Sequence, residues 1–290
     1  MRLAARLSLR ALFLCIWGIA SSCGYLRSAA IGNLTEDVAS ASARHDDLEL
    51  VAQAVPTFLV LLEGLLESDP QDDDLLLAAA EGYTAYAVLI EHEDASRARR
   101  LYRRARDYGW DGLVARRPAL KGLREASFGE FAQVERHLKE DDLPWVFWTA
   151  SAWGGWVSTN LQSMPALAQL PRVIYMMEWV LEHDEGFQGG GPHVFLGVYY
   201  GALPRMLGGD PDRSLRHFDR AIDLSGGKDL SVLVQKARYY ARQIFDRQLY
   251  EELLREVLER PVDAVPELTL QNAAAQRQAR LLLDEIDEHF

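Results

Sequence analysis

Residues 196–200 read LGVYY, and further along the chain Ser214, Phe218 and Ala221 follow one another at intervals of four and three residues. A tetratricopeptide unit is a hairpin of two helices. Its first helix typically has the pattern L-G-x-x-Y, and its second has small, aromatic and alanine positions at this spacing. Gly197 and Ala221 are small enough to let the two backbones approach closely. Because one hairpin cannot bury its own apolar face, the pattern predicts neighbouring hairpins of the same kind.

The small–aromatic–small spacing recurs at Ala98, Tyr102 and Ala105, and apolar residues follow a helical period from Leu48 onward. We therefore predict an all-α protein in which degenerate tetratricopeptide-like helical hairpins stack into a compact solenoid or bundle. A C-terminal helix over residues 272–290 is expected to cap the stack. Three other hairpins are predicted. One lies within residues 74–108, one pairs residues 145–159 with residues 173–183, and one pairs residues 230–242 with residues 248–258.

The first residues have the pattern of a bacterial export signal. An apolar run, ALFLCIWGIA, occupies residues 11–20 after three arginines. It is too short to span a bilayer, which needs about 20 residues, but it fits the roughly 7–15 apolar residues of a secretory signal. Ser21 and Ser22 lead directly into Cys23, as in a lipobox, although Ala20 stands where a large aliphatic residue is usual. We predict that Cys23 is lipidated and anchors the protein to a membrane.

This interpretation divides the chain into a signal peptide at residues 1–22, a lipidated tether at residues 23–47 and a helical repeat domain at residues 48–290. Two alternatives remain for the leader, an ordinary signal peptide cleaved near Ser22 or an uncleaved anchor. The residue after the lipidated cysteine would be Gly24, not the aspartate that acts as an inner-membrane retention signal. This favours a periplasm-facing anchor in the outer membrane.

Charge and cysteine content exclude several kinds of site. Cys15 and Cys23 are the two cysteines of the chain, so the folded body can form neither a disulfide nor a thiolate metal site. The formal net charge is −12, and it becomes −15 without residues 1–22, which contain three arginines and no acid. So acidic a protein is not expected to bind nucleic acid, or to attach to anionic lipid through a basic surface.

Four of the seven tryptophans lie between residues 145 and 156. At about 100° per residue, Trp145, Trp148, Trp153 and Trp156 point to one side of a helix whose other side carries small residues. Two interpretations stay open. The indoles pack in the core, or they line a concave apolar site or a subunit contact, where aromatic side chains are enriched.

Two further residues are candidates for the same site. Tyr199 and Tyr200 lie about 100° apart on their helix, so one of them faces the core of the hairpin. We assign Tyr200 to the core and Tyr199 to the ligand-facing side. Arg205 is a candidate partner for a carboxylate ligand, although the alternative is an ordinary surface arginine.

Motifs that carry catalytic chemistry are missing from the sequence. The segment SGGK at residues 225–228 lacks the spacing of a phosphate loop, and none of the histidines forms an HExxH motif. We therefore predict a binding protein without catalytic residues, cofactor or metal, and we interpret Asp72, Asp73 and Asp74 as a solvated helix start rather than a cation site.

Several longer stretches point to one family. They include SRARRLYRRARDYG at residues 96–109, ASAWG at 150–154, LPRV at 170–173, the glycine-rich approach to residues 193–200, and FxxAIDLSGG at 218–227. Together these stretches resemble the TatT family, whose members are tetratricopeptide-like lipoproteins associated with tripartite ATP-independent periplasmic (TRAP) transporters. The resemblance extends over nearly the whole mature chain.

The resemblance implies a periplasm-facing lipoprotein that forms homo-oligomers, trimers in the family. It also implies an accessory role beside the periplasmic solute-binding protein of a TRAP transporter, and a small hydrophobic or carboxylate ligand. Two alternatives stay open from the residues themselves. One is a general tetratricopeptide scaffold for envelope assembly without a small-molecule site, and the other is an enzyme built on a helical solenoid.

Overall fold

The computed structural model describes residues 37–290. The predicted signal peptide and Cys23 lie outside the described residues. Within the described part, the regular secondary structure is helical and there is no strand, which confirms the all-α prediction. Residues 37–43 form a helical segment of their own.

The main helices of the described chain are α1 (Leu48–Ser68), α2 (Asp73–Ile90), α3 (Ala95–Arg116), α4 (Leu143–Ser158), α5 (Leu170–His183), α6 (Phe187–Ala202), α7 (Pro211–Leu224), α8 (Leu230–Gln235), α9 (Arg247–Glu259) and α10 (Thr269–Asp284). Helix α8 continues as a π-helix over Lys236–Ala241. Short α-helical or 3₁₀ turns are Pro118–Leu120, Phe128–Phe131, Ala132–His137, Glu140–Asp142, Met164–Leu167, Arg205–Leu207, Pro266–Leu268 and Ile286–His289.

Aspartates begin six of these helices. A carboxylate at the residue before the helix accepts a hydrogen bond from a backbone N–H of the first turn, and so satisfies a donor that the helix itself leaves unpaired. At α1, for example, the backbone N–H of Leu50 donates to Asp47 at 2.9 Å. The capping residues are Asp47, Asp72, Asp94, Asp210, Asp229 and Asp246.

Helices α2 and α3 form the hairpin that the second repeat of the pattern predicts. Ala98, Tyr102 and Ala105 are all buried, as is Tyr83 on α2. The hydroxyl of Tyr102 donates to Glu91 at 2.7 Å. The spacing of the α3 residues therefore correctly identified the side of the helix that faces inward.

Helices α6 and α7 pack against each other where the first pattern predicts a hairpin. A Cβ atom at Gly197 would lie 3.1 Å from the ring of Phe218, which is tighter than an ordinary van der Waals contact. The hydroxyl of Ser214 donates to the backbone oxygen of Gly197 at 2.8 Å. Gly190, at the start of α6, has a φ of 94° and lies against Ala221. The predicted close crossing at Gly197 is confirmed.

Helix α4 lies at the centre of the larger hydrophobic cluster and packs against α2, α3 and α5. A second cluster joins α8, α9 and α10. The expected final helix begins at Thr269, three residues earlier than predicted, and breaks at Glu285 before the last turn, Ile286–His289. Helix α10 packs against both α8 and α9.

Helix α1 is apolar on both its inner and its outer side. Leu59 and Leu62 are buried, whereas Leu50, Val60 and Leu61 are 49%, 65% and 61% exposed. By length and composition alone, α1 is the one helix of the described chain that could cross a membrane. It packs against α2 in this structure.

Candidate functional site

Trp153 lies at the centre of the aromatic core. Its ring meets Trp110 and Phe131 edge to face, with ring centroids 6.4 Å and 6.0 Å apart. Its Nε1 donates to Gln169 Oε1 at 2.8 Å, so the one polar atom of the buried ring has a partner. Edge-to-face pairs of this kind stabilise a core beyond the area that they bury.

Trp145 is buried at the opposite end of α4. Its Nε1 donates to the backbone oxygen of Asp73 at 3.2 Å, and the guanidinium of Arg116 lies 4.0 Å from the ring centroid. A Cβ atom at Gly112 would meet the same indole at 2.9 Å, so α3 approaches this ring at a glycine. Trp145 therefore joins α4 to α2 and α3.

The four indoles do not form one common surface. Trp145 and Trp153 are covered by helices of their own chain, so for these two residues the core interpretation holds and the ligand-surface interpretation is wrong. The other two are half-buried. Trp148 meets Phe147 edge to face at 5.2 Å, and Trp156 lies under the guanidinium of Arg106 at 5.0 Å. The physical reason is that α2 and α3 cover most of the side of α4 on which the indoles lie.

Small residues of α4 receive aromatic rings from two neighbouring helices. A Cβ atom at Gly154 would lie 2.5 Å from the ring of Phe195 on α6, and one at Gly155 would lie 2.5 Å from the ring of Tyr102 on α3. For Gly154, one of the small residues on the side of α4 away from the indoles, the predicted close approach of a neighbouring helix is confirmed. The approach comes from two sides of α4 rather than one.

Tyr200 is buried in the α6–α7 hairpin, as predicted, with the guanidinium of Arg213 3.9 Å from its ring centroid. Tyr199 is half-buried and meets Tyr200 at 5.0 Å. Burial raises the pKa of the Tyr199 hydroxyl, and nearby Glu178 raises it further. Tyr199 and Trp148 pack against the same hydrophobic cluster. Arg205 is exposed, in the turn after α6.

A titratable cluster, which the sequence analysis did not identify, joins the start of α6 to α7. The Nδ1 atoms of His193 and His217 lie 2.9 Å apart, and the Nε2 atom of His193 lies 3.1 Å from a carboxylate oxygen of Glu185. Arg220 donates two hydrogen bonds to the same carboxylate. The two histidines are 24 residues apart in sequence, and their separate contexts carry no motif.

The surroundings of this cluster lower the pKa of the Glu185 carboxyl and of the His217 imidazole. Arg220 and His193 hold the pKa of the Glu185 carboxyl at about 2. Burial, together with His193 and nearby Arg213 and Arg216, lowers the pKa of His217 to about 4. When both imidazoles are neutral, His193 donates through Nε2 to Glu185 and accepts at Nδ1 from His217.

Comparison with known proteins identifies the family of this chain. The model of the family described as TRAP transporter T-component matches residues 44–290. The chain belongs to the TRAP transporter T-component family. The chain is also similar to a protein of Treponema pallidum (strain Nichols) that is described as uncharacterized. The two are 24% identical over 267 residues, which are 84% of this chain and 81% of the relative.

An ion-pair network fastens α3 of the T-component to the segment before α4. The carboxylate of Asp142 is fully buried, and it accepts from Arg116 Nε at 2.8 Å and from Arg117 Nε at 2.7 Å. The same two arginines bind Asp141, whose side chain is 62% exposed. Arg116 also reaches Asp73 on α2 at 2.7 Å. The network sets the position of α3 beside Trp145.

The acidic start of α2 in the T-component has structural partners. Asp72 caps the helix by accepting from the backbone N–H of Leu75 at 3.0 Å, and Asp73 pairs with Arg116. Ligand atoms of Asp72, Asp73 and Asp74 lie within 4.8 Å of one another, a spacing that would suit a cation. Because two of the three carboxylates already have protein partners, the geometry agrees with the predicted helix start.

Proposed function

We propose that this T-component is a periplasm-facing accessory lipoprotein of a TRAP transporter and that it works beside the transporter's periplasmic solute-binding protein. The observation that carries the proposal is the match of the family model over residues 44–290. The family description itself names a transporter component, and the resemblance found in the sequence adds the solute-binding protein as partner.

The architecture suits a binding protein. Closely packed hairpins such as α2–α3 and α6–α7 present long helix surfaces to a partner, which is how helical repeat proteins are used. In this proposal the hairpins form a compact tetratricopeptide-like solenoid, and α10 caps its end. The alternative, a general envelope scaffold, would use the same surfaces without a transporter.

A small hydrophobic or carboxylate ligand is part of the proposal. Trp148, Trp156 and Tyr199 are the predicted site residues that keep half-buried aromatic surface, and Arg205 is exposed for a carboxylate. Trp145 and Trp153 would support such a site from the core without touching the ligand. Alanine at Trp148 or Trp156 is expected to weaken binding of the ligand while leaving the fold intact.

We further propose that Cys23 carries the lipid that holds the T-component at the outer membrane, after removal of residues 1–22 and with residues 23–47 as the tether. Self-association into a homo-oligomer, a trimer by resemblance, is also part of the proposal. The exposed apolar side of α1, with Val60 and Leu61, supports self-association because a large exposed apolar surface is typical of an interface.

The central test is binding of the purified mature T-component to the TRAP solute-binding protein of the same organism, followed by biolayer interferometry. We expect saturable binding to this protein and none to an unrelated periplasmic binding protein used at equal concentration. Binding to neither protein would contradict the accessory role and favour the general scaffold.

A further inference from the structure

Helix α3 combines a buried apolar side with a strongly basic outer side. Seven of the chain's 31 basic residues lie in this one helix, together with only two acids, although the whole chain has a net charge of −12. Ala98, Tyr102 and Ala105 face inward, as the helical period requires. The basic residues exposed on the outer side are Arg97, Arg99, Arg100, Arg103 and Arg104.

Four of these five arginines line a groove along α3. The groove has a volume of about 450 Å³ and is lined by Arg97, Arg100, Leu101, Arg103, Arg104 and Asp107. From Arg97 to Arg104 the helix rises about 10 Å. The groove is therefore long enough for several carboxylates and longer than a single anionic group requires.

Aromatic rings hold the two ends of the groove in place. The guanidinium of Arg97 lies 5.3 Å from the ring centroid of Tyr86, and that of Arg104 lies 5.5 Å from the ring centroid of Tyr83. Arg104 also binds Glu63 at 2.6 Å. Side chains that are already ordered lose less conformational entropy when a partner binds.

In the middle of the groove, Arg100 and Arg103 form no ion pair with the described residues, although the Asp94 carboxylate attracts Arg100 and Asp107 lines the groove. In residues 37–290, no carboxylate oxygen lies within 4.0 Å of a guanidinium nitrogen of Arg100 or Arg103, whereas Arg104, Arg106, Arg116 and Arg117 all have such partners. A guanidinium presents a planar fork of donors that binds a carboxylate through two parallel hydrogen bonds.

We propose that the α3 groove is the docking site for an acidic segment of a partner protein. Carboxylates that lie three or four residues apart on a helix are about 5–6 Å apart, so two or three of them match the length of the groove. An anionic membrane is extended, so it would also face the acidic remainder of this chain and be repelled by it. A protein partner can instead bring a small acidic patch to the groove, and charges beyond about 8 Å are largely screened at physiological salt.

The identity of the partner, the TRAP solute-binding protein, rests on the proposed function. The prediction that the groove binds carboxylates does not depend on the proposed function. The test therefore uses the full mature chain with two probes, this solute-binding protein and a fluorescein-labelled polyglutamate peptide. The variant is Arg100→Glu/Arg103→Glu. The matched control is Arg136→Glu/Arg280→Glu, which reverses the charge of two exposed arginines in the turn Ala132–His137 and on α10.

We expect the groove variant to bind both probes at least about tenfold more weakly, mainly through slower association and with a reduced salt dependence. The control should bind as the wild type does, and both variants should keep the wild-type circular dichroism and melting temperature. Equal binding of the solute-binding protein by wild type and groove variant would overturn the inference and leave the proposed function intact.

Failure of the wild type to bind the solute-binding protein would instead contradict the proposed function. The polyglutamate peptide then decides the inference, and no binding of the peptide, or equal binding by the groove variant, overturns it. A third arm uses vesicles of phosphatidylglycerol and phosphatidylethanolamine. If they retain the wild type but not the groove variant, the groove binds lipid headgroups and the assignment to a protein partner is wrong.

Discussion

The Nδ1 atoms of His193 and His217 face each other at 2.9 Å across the α6–α7 hairpin. The hydrogen bond between them needs one donor and one acceptor, so it is lost when both Nδ1 atoms carry a proton. The groups around the pair are Glu185, Tyr200, Arg213, Arg216 and Arg220. Burial, together with His193, Arg213 and Arg216, disfavours a positive charge on His217.

This arrangement predicts that acid destabilises the hairpin. His217 has an ordinary pKa of 6.5 and a pKa of about 4 in the folded protein. Between these values the unfolded chain binds more protons than the folded chain, so the free energy of unfolding falls as the pH falls from about 6.5 to about 4. Urea unfolding of the wild type and His217→Gln at several pH values would measure the difference.

The His217→Gln variant should show a shallower dependence of stability on pH in this window. His137→Gln, at an exposed position outside the cluster, should keep the slope of the wild type. The comparison is best made above pH 4.5, which is the ordinary pKa of glutamate. Below pH 4.5 the stability also depends on Glu185, because its pKa in the folded protein is about 2. Parallel curves for wild type and His217→Gln would contradict the prediction.

A second prediction concerns the crossing of α6 and α7 at Gly197. Gly197→Leu places a side chain where a Cβ atom is already 3.1 Å from Phe218, and such overpacking typically costs about 1–3 kcal/mol. Gly64→Leu on α1 is the matched control, since nothing lies within 4 Å of its Cβ position. Thermal and urea unfolding should show a loss of stability for Gly197→Leu alone. An equal loss in both variants would refute the packing argument.

A third prediction concerns the buried ion pairs. Asp142→Asn removes the carboxylate charge that two arginines share in the interior, and loss of one partner of a buried pair costs about 3–5 kcal/mol. Asp141→Asn changes a neighbouring carboxylate that is 62% exposed, where a pair is worth about 0–1 kcal/mol. The measurement is the free energy of unfolding in urea. Similar losses for the two variants would contradict the conclusion that the ion pairs of Asp142 stabilise the fold more than those of Asp141.

A fourth prediction concerns the proposed anchor. Cys23→Ser should release the protein into the soluble periplasmic fraction or leave it unprocessed. Stable attachment takes about two acyl chains, which a diacylglycerol on the cysteine would supply. Metabolic labelling with a palmitate analogue should mark the wild type and not Cys23→Ser. Equal labelling of both proteins would end the lipoprotein interpretation.

The sequence by itself determined the type of the elements and the inner side of several helices. Phe218 and Ala221 on α7, and Tyr102 on α3, are buried as their spacing predicts. These properties are local, because a residue's position around a helix follows from the regular turn of the helix. The aspartate caps are local for the same reason, since each satisfies backbone groups within one turn of itself.

Only the tertiary structure decided how the helices share their aromatic residues. The spacing of Trp145, Trp153 and Trp156 places them on one side of α4, but whether a ring is covered depends on helices that are distant in sequence. Trp145 and Trp153 meet α3 and its neighbours and are buried, whereas Trp156 extends to the surface under Arg106. The spacing of one helix holds no information about the helices packed against it.

The titratable cluster depended on tertiary structure entirely. Its members come from the segment before α6, from α6 and from α7, and Glu185 and Arg220 are 35 residues apart. The close crossing at Gly197 brings the two helices together and thereby places His193 beside His217. The crossing could be predicted because it follows a repeat pattern, but the histidine pair could not, since the repeat leaves the residue type at those positions free.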